Sequence, residues 1–173
     1  MFLGIAGIVL TAMGAFFALV NIGLSFHWEK RNNTRVKSLF SLPVVFLGAS
    51  LLVLVIAFVL NRFEIDYVRN HSSKNIPFYL KISALWAGQQ GSLLLWSFMQ
   101  AVFSFFAVRQ VTAEEKPGSK WASAILNTLV FFFSILTLFL SNPFTYTLPL
   151  PSEGIGLNPL LRHPGMVFHP PAL

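Results

Sequence analysis

The chain has 173 residues, 55% of them hydrophobic and only 10% charged, with nineteen Phe, no Cys and a formal net charge of +6. A soluble domain carries about 25% charged residues, so this composition lacks a solvated shell and predicts an all-α integral membrane protein in a lipid bilayer. The missing cysteines exclude a disulfide framework, a thiolate metal site and a redox-active thiol pair. No basic patch interleaves with exposed aromatics, so no nucleic-acid partner is expected.

The first apolar run, residues 2–26, contains no charge and exceeds the roughly 20 residues a helix needs to cross the hydrocarbon core. It lacks the basic start, short apolar centre and small-residue cleavage site of a secretory signal, so a retained spanning helix is expected. A basic loop at 27–37 leads to a second apolar run at 38–61, with Pro43 near its start, where a helix tolerates proline. Residues 62–81 are polar and read as a wet loop. The third span is placed at 91–108, a hydrophilic turn at 109–120 follows, and 121–141 span again. The last 32 residues, from Asn142, hold seven of the ten prolines and cannot form one continuous helix. The expected organisation is a four-helix transmembrane region over 1–141 and a Pro-rich segment over 142–173.

Four spans put two loops on one side and one loop plus both ends on the other. The loops at 27–37 and 109–120 carry four and three Lys or Arg, against four in 62–81 and one, Arg162, in the tail. Seven basic residues in two short loops place those loops in the cytoplasm by the positive-inside rule. The N-terminus, the 62–90 region and the Pro-rich segment then face outward.

Two stretches stand apart chemically. In "SALWAGQQGSLLLW", residues 83–96, Trp86 and Trp96 bracket Gly88, Gln89, Gln90, Gly91 and Ser92. One reading is an interfacial helix entry, with Trp at headgroup level and small residues allowing close packing; the other is a pocket rim lined by the two glutamines. In the Pro-rich tail, Pro164 and Pro170 each follow a histidine, which biases His163 and His169 away from helical geometry. A stiff extended segment bearing imidazoles suits an iron ligand; a histidine packed at a membrane interface is the plainer alternative. His27 and His71 read as solvated loop residues, and the basic cluster from Arg31 to Lys37 as a topology signal before an anionic-lipid contact. Glu64 and Asp66 are two apart in the polar stretch and make no acid–base pair. No span contains a charge of the kind that marks an ion path.

The stretches "PFYLKISALWAGQQGSLLLW", "SNPFTYTLP" and "GLNPLLRHPGMVFHPP", in that order, resemble the N-terminal third of the CcmF/NrfE cytochrome c-type biogenesis haem lyase family. The resemblance covers the chain from about residue 38 to its end. It implies part of a machine that attaches haem covalently to the Cys-x-x-Cys-His sites of apocytochromes c on the outer membrane face. It further implies haem as cofactor (b-type in the complete assembly). The implied partners are a haem chaperone, a thiol-reducing subunit, apocytochrome c and the C-terminal part of the same lyase. The family's "HPP" pattern makes His169 the candidate axial ligand to haem iron. One departure is plain: the family's usual "HEGSLLLW" reads "QQGSLLLW" here, so a ligand or ionic role at Gln89 and Gln90 does not carry over. The family's Trp-rich signature, second flanking histidine and transmembrane haem-binding histidines would all lie beyond residue 173. The expectation is therefore an incomplete lyase, either a fragment, a truncated form or one product of a split gene, in the bacterial inner or mitochondrial inner membrane. The alternative is a non-catalytic membrane scaffold for cytochrome c maturation proteins.

Overall fold

The computed structural model describes residues 2–27, 38–113, 118–146, 148–149, 151–162 and 165. Among the described residues four helices are long and apolar enough to cross a membrane: α1 (Phe2–Ser25), α2 (Leu42–Val59), α5 (Gln89–Ala113) and α6 (Ser119–Phe139). Without water to satisfy backbone polar groups, an apolar run of this length has the helix as its stable form. The third span begins at Gln89, directly in the polar patch. Pro43 lies in the first turn of α2, where its missing N–H costs nothing. Gly118 precedes α6 with φ of 83°, a left-handed conformation that glycine enters without strain.

The spans form a closed ring in which α1 packs on α2 and α6, and α5 completes it against α6 and α2. Lipid is as apolar as leucine, so helix association in a bilayer rests on close backbone approach and on hydrogen bonds across helices. The inward stripe of α1 is built for both: Gly4, Gly7, Thr11, Gly14, Ala18, Asn21 and Ser25 are buried. A Cβ on Gly14 would stand 2.7 Å from Leu47 Cγ of α2. The Thr11 and Ser50 hydroxyls lie 2.7 Å apart and both reach the Gly7 carbonyl, at 2.9 and 3.0 Å. Ser25 meets Ser123 of α6 at 2.8 Å, and Ser97 of α5 meets Thr137 of α6 at 3.2 Å.

Residues 62–81 are not a wet loop. They form α3 (Asp66–His71) and α4 (Phe78–Ser83), followed by a single 3-10 turn at Ala84–Trp86. Together these cap one end of the ring. Phe63, Ile65, Tyr67, Val68, Ile76 and Leu80 are buried there and continue the core of Leu54 and Phe58 from α2. The stretch looked polar because its charged residues alternate with apolar ones that point inward. Burying these side chains stabilises the cap, by about 1.5–3 kcal/mol for each fully buried large apolar group.

The Pro-rich segment lies along this cap as far as it is described. Ile65 and Tyr146 form an isolated antiparallel bridge, and the Asp66 N–H donates to the Thr145 carbonyl at 2.8 Å. Further along, the Ile155 N–H reaches the Arg69 carbonyl at 2.8 Å and the Gly156 N–H reaches the Ser72 carbonyl at 3.0 Å. Phe144 and Leu157 are buried in the cap core. The Phe144 ring fills the notch left by Gly7, and Tyr146 fills the one left by Gly4. A 3-10 turn at Pro159–Arg162 closes the described part.

Candidate functional site

Tyr67 is the hub of the cap. It stands on α3, nearly wholly buried, with its ring edge-on to Phe58 of α2 at a centroid distance of 5.8 Å. Its hydroxyl lies within reach of three carbonyls, those of Ala84, Leu85 and Gly88, at 3.1, 3.1 and 3.3 Å. It accepts the Gly88 N–H at 3.0 Å. One phenol thus ties α3 to the turn that feeds α5. Burial pushes the Tyr67 hydroxyl well above its ordinary range, and hydrogen bonds from the Gly88 and Gly91 backbone only partly offset that. It is a neutral tether at any physiological pH.

His71 corrects the solvated-loop reading. It sits one turn along α3, partly buried, with its ring tilted on Tyr67 at 4.4 Å between centroids. Its Nδ1 is 2.9 Å from the Tyr67 carbonyl, which only accepts, so Nδ1 carries the proton. The other nitrogen, Nε2, faces Gly88, where an added Cβ would approach it to 2.7 Å. Gly91 is buried beneath the Leu85 carbonyl and the Tyr67 ring. Glycine at 88 and 91 is therefore a packing requirement. Gln89 is exposed and Gln90 partly so, in the first turn of α5.

Two charged groups complete the cap. Lys81 of α4 is only 7% exposed, and its Nζ donates to Asn61 Oδ1 at 2.7 Å, with no carboxylate in ion-pair range among the described residues. Composition gave no hint of this buried cation, since Lys81 closed what read as a polar stretch. Glu153 of the Pro-rich segment accepts the Lys74 N–H at 2.9 Å and pairs with Lys74 Nζ at 3.8 Å. The Lys74 backbone N–H is the main cause of its carboxyl lying below the usual range.

His163 and His169, the histidines of the tail, lie outside the described residues. Among the described residues the imidazoles are His27, exposed just past α1, and His71 in the cap at the opposite end. The described residues gather no group of three metal-ligating side chains. A haem held in the bilayer needs axial ligands from buried helices, and no spanning helix here carries a histidine.

Comparison with known proteins gives the chain its relatives. The cytochrome c-type biogenesis protein NrfE of Haemophilus influenzae is 35% identical over 170 residues, covering 94% of this chain and 26% of its own length. The cytochrome c-type biogenesis protein CcmF of Escherichia coli is 40% identical over 129 residues, covering 73% of this chain and 20% of its own length. The chain belongs to the CcmF/NrfE family. It corresponds to the N-terminal portion of these proteins and spans about a quarter of their length or less. The solved cytochrome c haem lyase CcmF shares the fold, with a TM-score of 0.69 over 82% of this chain and 24% of its own, at 22% identity. No protein-family model matches the chain. Four apolar helices together with CcmF/NrfE relatives make it a multi-pass integral protein of the bacterial inner membrane.

Proposed function

We propose that this chain is the N-terminal membrane module of a cytochrome c haem lyase, taking part in covalent attachment of haem to apocytochrome c. The observation that carries this reading is 35% identity across 94% of the chain to a cytochrome c-type biogenesis protein. The module is not a complete catalyst. With no cysteine and no histidine in any span, it leaves the internal haem b to the C-terminal part of the lyase. Its own role is architectural and presentational. The cap, locked by Tyr67 and by the backbone bonds from residues 145, 155 and 156, is a firm base for the segment that leads to residue 173.

The seven-to-five split of basic residues supports a cap that faces outward, on the side where haem meets apocytochrome c. There His169 is the proposed axial ligand. Pro170 and Pro171 follow it directly, and a stiff ligand loses less entropy on binding. Haem, a haem chaperone, a thiol-reducing subunit, apocytochrome c and the C-terminal part of the lyase are the proposed partners. A second reading is a scaffold that never touches haem, and the cap tied by Tyr67 and the backbone bonds of the Pro-rich segment suits that role equally.

The test uses cells in which the module works with the rest of the lyase. His169→Ala should abolish cytochrome c maturation at unchanged protein level, while His163→Ala stays mild and added imidazole restores part of the loss. Normal maturation in His169→Ala cells would remove the haem-ligand assignment and leave the scaffold.

A further inference from the structure

On the reading that this chain works as one part of a larger lyase, we propose that the outer stripe of α5, centred on Trp96, Gln100 and Phe103, is a helix-docking face. Its occupant is a spanning helix from the remainder of the lyase, carrying a hydrogen-bonding side chain at mid-depth.

The four spans differ in what they turn outward. On α1 the exposed side chains include Phe2, Ile5, Val9, Phe16 and Leu19; on α2 they include Val45, Leu52, Ile56 and Val59. These stripes suit lipid tails. On α6, Thr128 is the exposed polar residue within the span, and its hydroxyl donates to the Ala124 carbonyl at 2.8 Å, within its own helix. Trp121 of α6 stands at the helix start, beside Lys120, at the level where Trp belongs in a bilayer.

The α5 stripe breaks this pattern. Its span has the lowest mean hydropathy of the four. Gln100 lies at the midpoint of Gln89–Gln110, roughly 15 Å from either end at about 1.5 Å per residue. A glutamine side chain cannot snorkel that far. Gln100 is partly exposed and has no hydrogen-bond partner among the described residues, and its amide is not among the fully buried unsatisfied atoms. The amide therefore opens onto the hydrocarbon. One helical turn away stands Trp96, 46% exposed, and on the other side Phe103, 61% exposed. The Trp96 indole also lacks a partner among the described residues, although it sits roughly 10 Å into the span. Trp favours the headgroup level, where its N–H is wet.

Two donor-bearing side chains one turn apart, both facing hydrocarbon without partners, are costly in lipid. They are ordinary at a helix–helix interface, where glutamine hydrogen-bonds across and aromatics fill the seam. The relatives supply the occupant: the chain covers only 26% and 20% of their lengths, so most of a family member's polypeptide lies outside this module.

The photoreactive residue p-benzoylphenylalanine would replace Phe103 or Trp96, and Val9 or Leu52 as lipid-facing controls, in cells that make the remainder of the lyase under a separate tag. The expected result is an adduct at 103 and 96, several-fold stronger than at 9 and 52, mapping by mass spectrometry to a spanning segment of that remainder. Gln100→Leu should weaken co-purification of the two parts more than Gln100→Asn does. An adduct at 103 with lipid alone, or with a second copy of this chain, overturns the proposal. So does attachment of the remainder through α1 or α2 with nothing at α5, in which case membership of a lyase complex stands. If no position attaches to the remainder and the parts never co-purify, the complex itself is refuted.

Discussion

Gly91→Ala tests whether the cap is held by close approach of α5 to the turn before it. The added methyl would land on the Leu85 carbonyl oxygen and stand 2.5 Å from Tyr67 Oη and 2.8 Å from its Cε1. Neither neighbour can swing away, since one is backbone and the other is a ring seated against Phe58. In an unobstructed helix the same change gains about 1 kcal/mol. Overpacking of a tight site costs about 1–3 kcal/mol. Displacing the Tyr67 hydroxyl leaves the Gly88 N–H and its carbonyl neighbours short of a partner, at a further cost of about 1–3 kcal/mol. The net expectation is a loss of about 1–5 kcal/mol. Gly23→Ala is the matched control, because a Cβ there meets nothing within 4 Å. Purified protein in mild detergent would be heated in steps, and the surviving monodisperse fraction read by size exclusion. Gly91→Ala should melt several degrees below wild type while Gly23→Ala melts at or above it. Equal melting of the two variants would refute the close-packed hub.

Tyr67 gives a pH signature. Because burial raises its folded-state pKa above the ordinary 10.0, its contribution to stability is full below that value and is lost as pH rises beyond it. Between about pH 8 and pH 11, wild type should lose more stability in denaturant titrations than Tyr67→Phe does; parallel losses would show that the phenol is not desolvated. For orientation, a reporter fused after Leu173 should be active outside the cytoplasm, and activity restricted to the cytoplasm would invert the proposed topology.

The spans were legible because hydrocarbon imposes a single rule, and runs such as 2–26 obey it without exception. What the sequence hid was the cap. Ile65, Tyr67, Val68, Ile76 and Leu80 are buried, yet each stands next to a charged or amide residue. Helices of six residues, such as α3 and α4, are too short for a periodicity to declare itself. His71 looked solvated for the same reason: it is partly covered by Tyr67 and by Gly88, seventeen positions on, and the second contact leaves no local trace. Lys81 was counted as a topology charge, while its partner is an amide twenty positions back. The small inward stripe of α1 was readable in principle, from Gly4, Gly7, Thr11 and Gly14 at helical spacing. Its partners were not, since Phe144 and Tyr146 arrive from the far end of the chain.

That last pairing bears on how the protein is made. The first turns of α1 enter the membrane early, but the rings that fill the notches at Gly4 and Gly7 belong to residues 146 and 144. At about 5–20 residues per second, the ribosome needs roughly 7–28 seconds to supply them. Through that interval the N-terminal end of α1 lacks the rings that fill its groove, and neither the cap nor the described part of the Pro-rich segment has its final seat. The module closes only when residues 144 and 146 have been synthesised, so the event that completes the packing of the first helix also seats the described part of the Pro-rich segment.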